Sequence, residues 1–167
     1  GRLAALRAVT GELNANPTLA SMTEVSMIGF SATAGVQFAQ LQPAAALTQL
    51  TADNVCRSLS WTDYAIAIDL IEPAPSDKQL IVYLISDGLP KNAAGDARRS
   101  GLEAAVRLRE RVPNVIINAV YLGSEDLEEN PARYLADISG SKDRVLLVSG
   151  AGQLPVEILK LGRPTAF

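Results

Sequence analysis

Leu80-Ile-Val-Tyr-Leu-Ile85, followed at once by Ser86-Asp87-Gly88-Leu89-Pro90, decides the fold. An unbroken apolar run closed by a turn is the mark of a strand buried on both faces, as in a parallel sheet. Toward the C-terminus the rhythm continues. Ala97 to Arg111 reads as a helix, Val115 to Leu122 as a strand, Asn130 to Ile138 as a helix, Arg144 to Val148 as a strand and Leu154 to Leu161 as a last helix. Toward the N-terminus, Arg2 to Leu13 has helical spacing, and Glu24 to Phe30 alternates as a strand. Val36 to Leu41 returns as its hairpin partner. Pro43 to Leu50, Ala52 to Leu59 and Asp63 to Ile71 follow as helical segments. Strands alternating with helices across short loops predict an α/β fold, an open, mostly parallel sheet with helices on both faces in three layers.

The composition agrees with one domain over residues 1–167. A chain of 167 residues with 48% hydrophobic residues buries roughly 70% of its unfolded surface on folding, enough for a core without staples. A net charge of −3 and a pI near 5.0 give no electrostatic footprint for nucleic acid. No apolar run approaches the ~20 residues of a membrane span. The single Cys56 excludes an internal disulfide. The absence of histidine excludes Ser-His-Asp and Cys-His catalysis and the commonest zinc ligand. Any metal here needs oxygen ligands.

In an open α/β sheet the ligand crevice lies beyond the carboxyl ends of the strands. That rule selects Asp87-Gly88 after the 80–85 strand, Ser60-Trp61-Thr62-Asp63 before the next helical segment, and Ser31 and Thr33 after the 25–30 strand. A hydroxyl and a carboxylate facing across such a crevice form a partial shell for a hard cation such as Mg²⁺. Each residue also has a local reading. Asp-Gly opens turns, and Thr62 is a natural N-cap for a helix starting at Asp63.

At these loops the sequence resembles the von Willebrand factor type A domain. The strand and turn ending Ser86-Asp87-Gly88-Leu89-Pro90 resemble the family's "TDG.P" turn, and Ser60-Trp61-Thr62-Asp63 its threonine loop. Glu24 to Leu41 resembles its edge hairpin, and Leu135 to Val148 with the final helix its C-terminal third. In that family a metal-ion-dependent adhesion site holds Mg²⁺ or Mn²⁺ through Asp-x-Ser-x-Ser, a threonine and an aspartate, and a carboxylate of the partner protein completes the shell. The resemblance assigns Thr62 and Asp87 as the threonine and aspartate. Ser31, Trp61, Asp63 and Gly88, in the same strand-end loops, are the candidate partner-binding residues.

The family's Asp-x-Ser-x-Ser ends a central strand immediately before the first helix; here the helix is already under way at Arg2. Leaving out a central strand exposes two rows of backbone groups at on the order of 1–3 kcal/mol for each buried, unpaired group, against a total stability of ~5–15 kcal/mol. The expectation is therefore a strand supplied by an upstream segment, a cleaved piece or another chain, in a slot flanked by the 25–30 and 80–85 strands. The function implied is a non-enzymatic adhesion module that recognises an acidic protein ligand through the cation, at the cell surface, with the cytoplasm as alternative. Two rivals stand beside it. One is a Mg²⁺-dependent phosphoryl-transfer enzyme using Asp87, for which neither phosphate-cradling glycine motif is found. The other is a metal-independent interaction domain.

Remaining features have structural readings too. Arg98, Arg99, Arg107, Arg109 and Arg111 share one helix with Glu103 and Glu110, the pattern of a solvated, ion-paired face. The acidic run Glu125 to Glu129 either holds a second cation and steers a basic partner, or favours the N-terminus of the following helix. Trp61 reads equally as a partner anchor or a plug beneath the loop, and Cys56 as a small buried hydrophobe.

Overall fold

The computed structural model describes residues 2–55, 61–123 and 131–149. Cys56, Ser60, the acidic run and the 154–161 helix lie outside these residues.

The chain runs α1 (Arg2–Ala15), α2 (Pro17–Met22), β1 (Val25–Phe30), β2 (Ala34–Leu41), α3 (Pro43–Gln49), α4 (Ala52–Val55), α5 (Tyr64–Ile68), β3 (Ile81–Ser86), α6 (Ala97–Arg111), β4 (Ile116–Leu122), α7 (Pro131–Ser139), a 3₁₀ turn (Lys142–Arg144) and β5 (Val145–Val148). β3, β4 and β5 form a parallel sheet in that order, with Ile81 opposite Ile116 and Ala119 opposite Val145. β1 and β2 form a separate antiparallel pair, with Phe30 opposite Ala34. The protein is α/β, and its parallel sheet is small.

The strands of this sheet are mostly apolar because both faces are covered. Leu84, Ile117, Ala119 and Tyr121 point to one side, against Tyr64 and Ile68 of α5, Ala104 and Leu108 of α6, and Leu135 and Ile138 of α7. Their alternates Ile85, Val120, Leu146 and Val148 point to the other, against Ala5, Ala8 and Val9 of α1. Phe30, at the end of β1, packs against the first of these clusters. The two sheets thus share a core, yet among the described residues no ladder joins β1 to β3.

The arginines of α6 do more than solvate a face. Arg107 reaches α5's last turn, donating to both carboxylate oxygens of Asp69 at 2.8 and 3.1 Å. Arg111 donates to the Ile71 carbonyl at 3.2 Å, and Arg109 donates to the Ile138 carbonyl near the end of α7. Arg99 pairs with Asp96 at the N-cap and Glu103 on the helix, as the sequence pattern implies. Arg107, Arg109 and Arg111 strap α6 to its neighbours. Gly140, at φ 81°, ends α7 in the left-handed region that glycine alone enters without cost.

One local conflict stands in this core. Asn118 of β4 is fully buried, on the face of Val120, and neither amide atom has a hydrogen-bond partner among the described residues. A buried unpaired polar group costs about 1–3 kcal/mol. Asn118→Leu, of similar shape, is therefore expected to raise the unfolding midpoint by several degrees, measured by calorimetry or circular dichroism. A lowered midpoint would mean that the amide is satisfied.

Candidate functional site

The carboxyl ends of β1 and β3 meet the loop that precedes α5. Backbone hydrogen bonds fix this loop on both sides. The Asp63 N–H donates to the Ser31 carbonyl at 3.0 Å, tying it to the end of β1. Thr62 and Lys91 exchange two backbone bonds of 3.0 and 2.9 Å in an isolated antiparallel bridge, tying it to the chain after β3. Asp63 rather than Thr62 is the N-cap of α5, accepting from Ala65 N–H at 3.0 Å. The local reading of Thr62 as a cap is thereby corrected. Its hydroxyl is left for another task, because a carboxylate one position on meets the helix first.

The turn after β3 is just as constrained. Ser86 Oγ accepts from Gly88 N–H and donates to the Gly88 carbonyl, both at 3.1 Å. The Tyr64 hydroxyl donates to the same carbonyl at 2.8 Å. Gly88 is required by space: a Cβ there would lie 2.4 Å from Thr62 Oγ1. The Thr62 hydroxyl therefore lies against the backbone of the residue after Asp87. Asp87 is exposed and pairs with Arg2 at the start of α1, Nη2 to Oδ2, at 3.4 Å.

The residues assigned to the metal or to a partner lie at this one place, from Ser31, buried, through Trp61, Thr62, Asp63 and Gly88, half-buried, to Asp87, exposed; Ser60 lies outside the described residues. Lys91 Nζ stands 5.4 Å from the centroid of the Trp61 ring. Trp61 is neither a core plug nor bare: it carries a cation on a half-open face. Asn92 bridges Asp63 and Asp96 at 3.4 and 2.9 Å. Its hydrogen bond, and that of Arg99, hold the Asp96 carboxyl below the usual range. Sequence reading missed Arg2, Tyr64, Ser86, Lys91 and Asn92 as parts of this arrangement. Lys91 and Asn92 directly follow the quoted turn, whereas Arg2 lies 85 positions from its partner and gave no signal.

Among the described site residues, the Thr62 hydroxyl and the Asp87 carboxylate, the latter paired with Arg2, are the oxygens that could contribute to a cation shell. A neutral and an anionic oxygen suit a hard ion such as Mg²⁺ or Mn²⁺, held weakly and mostly by water. Among the described residues there is no group of three acidic, histidine or cysteine side chains that could bind a metal by itself.

No family model matches the chain, and no curated protein matches it. Among solved structures, the chain is similar in fold to the pilus adhesin SpaC of Lactobacillus rhamnosus GG in its open conformation. The TM-score is 0.70 at 14% identity, over 94% of this chain and 27% of the adhesin. The chain thus spans about a quarter of the adhesin's length.

Two outcomes follow from the geometry. Gly88→Ala is expected to cost about 1–3 kcal/mol through overpacking, and adding Thr62→Ala to recover most of it; equal losses in the single and double variants would place the strain elsewhere. Burial pushes the Tyr64 hydroxyl up to about 12. Below pH ~10 this phenol is protonated folded and unfolded, so its contribution is fully present. Between the two values only the unfolded chain releases the proton, and stability falls with rising pH by on the order of 1–3 kcal/mol. Thermal unfolding followed from pH 9 to 12 should show this decline, shallower in Tyr64→Phe; equal slopes would remove Tyr64 as its source.

Proposed function

We propose that the chain is a non-enzymatic protein-binding module of the adhesion type, whose recognition surface is the place where the Thr62 hydroxyl meets the Asp87-Gly88 turn. That meeting, across the ends of separate elements and enforced by the bare Cα of Gly88, is the observation that carries the reading. It lies where open α/β sheets place their ligands, beyond the carboxyl ends of the strands. Likeness in fold to a pilus adhesin supports an adhesion role.

On this reading Thr62 and Asp87 hold Mg²⁺ or Mn²⁺, which supplies attraction for an acidic residue of a partner protein. A shell with one protein charge leaves the cation electropositive, so affinity for the ion alone is low and the partner's carboxylate raises it. Ser31 and Asp63 fix the threonine loop by backbone and cap bonds, and Trp61 and Gly88 border the surface. The fold that fits is the three-layer von Willebrand factor A type. Its central strand enters between β1 and β3, supplied by an upstream segment or another chain, and brings the remaining oxygens to the same point. The edge of β1 away from β2 and the edge of β3 away from β4 have no ladder partner among the described residues, which supports this placement.

The test is Mn²⁺ titration by calorimetry into the domain carrying its central strand, as wild type, Thr62→Ala and Asp87→Ala, with unfolding followed alongside. Both variants are expected to lose cation binding while stability shifts by only ~1–2 kcal/mol, the size of a lost cap or turn contact. Identical isotherms for the three proteins would remove the cation from the reading and leave a metal-independent interaction surface.

A further inference from the structure

Beside the threonine loop lies a groove that the cation reading does not use. The backbone bridge between Thr62 and Lys91 joins the two, and from Lys91 the chain turns through Gly95, at φ 75°, into the start of α6. Asn92 and Asp96 lock this turn reciprocally. Asn92 Nδ2 donates to Asp96 Oδ1 at 2.9 Å, and the Asp96 N–H donates to Asn92 Oδ1 at 3.2 Å. Around the turn and the first residues of α6 opens a groove of about 520 Å³, whose lining includes Pro90, Lys91, Asn92, Asp96, Arg98 and Arg99.

The charge of this groove is opposite to that of the chain. Its lining holds three cations and one carboxylate, whereas the whole chain stands at −3. That carboxylate is already engaged: Asp96 accepts from Asn92 and pairs with Arg99 at 3.3 Å. Lys91 and Arg98 are exposed. Lys91 Nζ rests over the Trp61 ring at 5.4 Å rather than on an acid among the described residues, a contact that restrains the ammonium without neutralising it. We propose that the groove is a docking surface for an acidic segment of a partner protein, whose carboxylates meet Lys91 and Arg98 beside the strand-end loops. This rests on the reading of the chain as a protein-binding module and not on the cation. Charge decides the occupant. Attraction between exposed charges reaches about 8–10 Å through salt, so a short run of carboxylates feels the groove alone, while a long polyanion extends over a surface that is negative overall.

The experiment follows the anisotropy of a fluorescein-labelled hexa-aspartate peptide against the domain carrying its central strand, in EDTA, with circular dichroism showing that every variant is folded alike. Lys91→Gln and Arg98→Gln are each expected to weaken binding about two- to five-fold, the fold-change of one exposed ion pair. Asp96→Asn, which removes the groove's own negative charge, is expected to tighten it about two-fold on the same scale, a direction that a damaged fold does not give. Lys142→Gln, in the 3₁₀ turn at the opposite, amino end of the sheet, should leave binding unchanged. If the peptide does not bind, if Lys91→Gln and Arg98→Gln bind as wild type does, or if Lys142→Gln weakens binding as much as they do, the groove is overturned as its dock. If a heparin oligosaccharide binds more tightly than the peptide and is weakened by the same variants, the surface takes a sulfated polysaccharide and the acidic segment is overturned. Peptide binding in EDTA with the expected variant effects, beside flat Mn²⁺ isotherms, supports the groove and removes the cation, so the two readings fail separately.

Discussion

One buried phenol organises the molecule. Tyr64 has no exposed surface, and its ring meets Phe30 of β1 edge-on at 5.6 Å and stacks on Tyr134 of α7 at 5.9 Å. Its Cβ lies 3.6 Å from where a Cβ on Gly101 of α6 would be. A buried hydroxyl must find an acceptor or lose the hydrogen bonds it had in water. Here the acceptor is the Gly88 carbonyl. That bond fixes the turn after β3, and the turn fixes where Asp87 stands. The apolar part of the side chain assembles the core, and its single polar atom aims the site.

The same residue explains how two sheets without a shared ladder stay together. Sheets normally extend by backbone hydrogen bonds between strands, but among the described residues β1 and β3 are linked through side-chain packing and the loop before α5. Phe30 packs into the cluster that contains Tyr64 and Leu84, and Asp63, the residue before Tyr64, donates its N–H to Ser31 just beyond β1. Packing is less demanding of register than a ladder, because it fixes volumes rather than donor-acceptor pairs.

Much of this was legible in the residues. The apolar runs at 80–85 and 115–122 gave strands within one residue of β3 and β4, and Ala97–Arg111 gave the bounds of α6, because burial on both sheet faces and on one helix face writes a strong period. Short elements were lost where two local signals collide. Asn16-Pro17 reads as the end of α1; it also opens α2, with Asn16 capping Thr18 and Leu19 and Pro17 at the first helical position. Likewise Thr62 and Asp63 are both good caps, and only the path of the chain chose Asp63. The straps made by Arg107, Arg109 and Arg111 could not be read because their partners, Asp69, Ile138 and Ile71, lie 29 to 40 positions away. The site was legible as residue types at strand ends. The bonds that rigidify it, from Tyr64, Ser86 and Lys91, were not, since nothing local records a contact across the fold.

At these loops the atoms committed to holding the fold can be told from those that are not. The backbone is heavily committed: Thr62 to Lys91, Asp63 to Ser31, Gly88 to Ser86 and Tyr64. So is the Asp63 carboxylate, spent on Ala65 and Asn92. The Asp87 carboxylate is not spent in this way. Its partner, Arg2, comes from the surface, in a class of ion pair worth about 0–1 kcal/mol. The fold therefore gains little from the most exposed oxygen at the site while going to some length to hold its position. A rigid frame around an uncommitted polar group is what a site needs, because precision must come from the frame and reactivity from what the frame leaves unsatisfied. Were Asp87 simply a turn residue, the Gly88 it precedes would be needed for its conformation. The structure instead requires that glycine for want of space beside Thr62, which ties the turn to the threonine and not merely to itself.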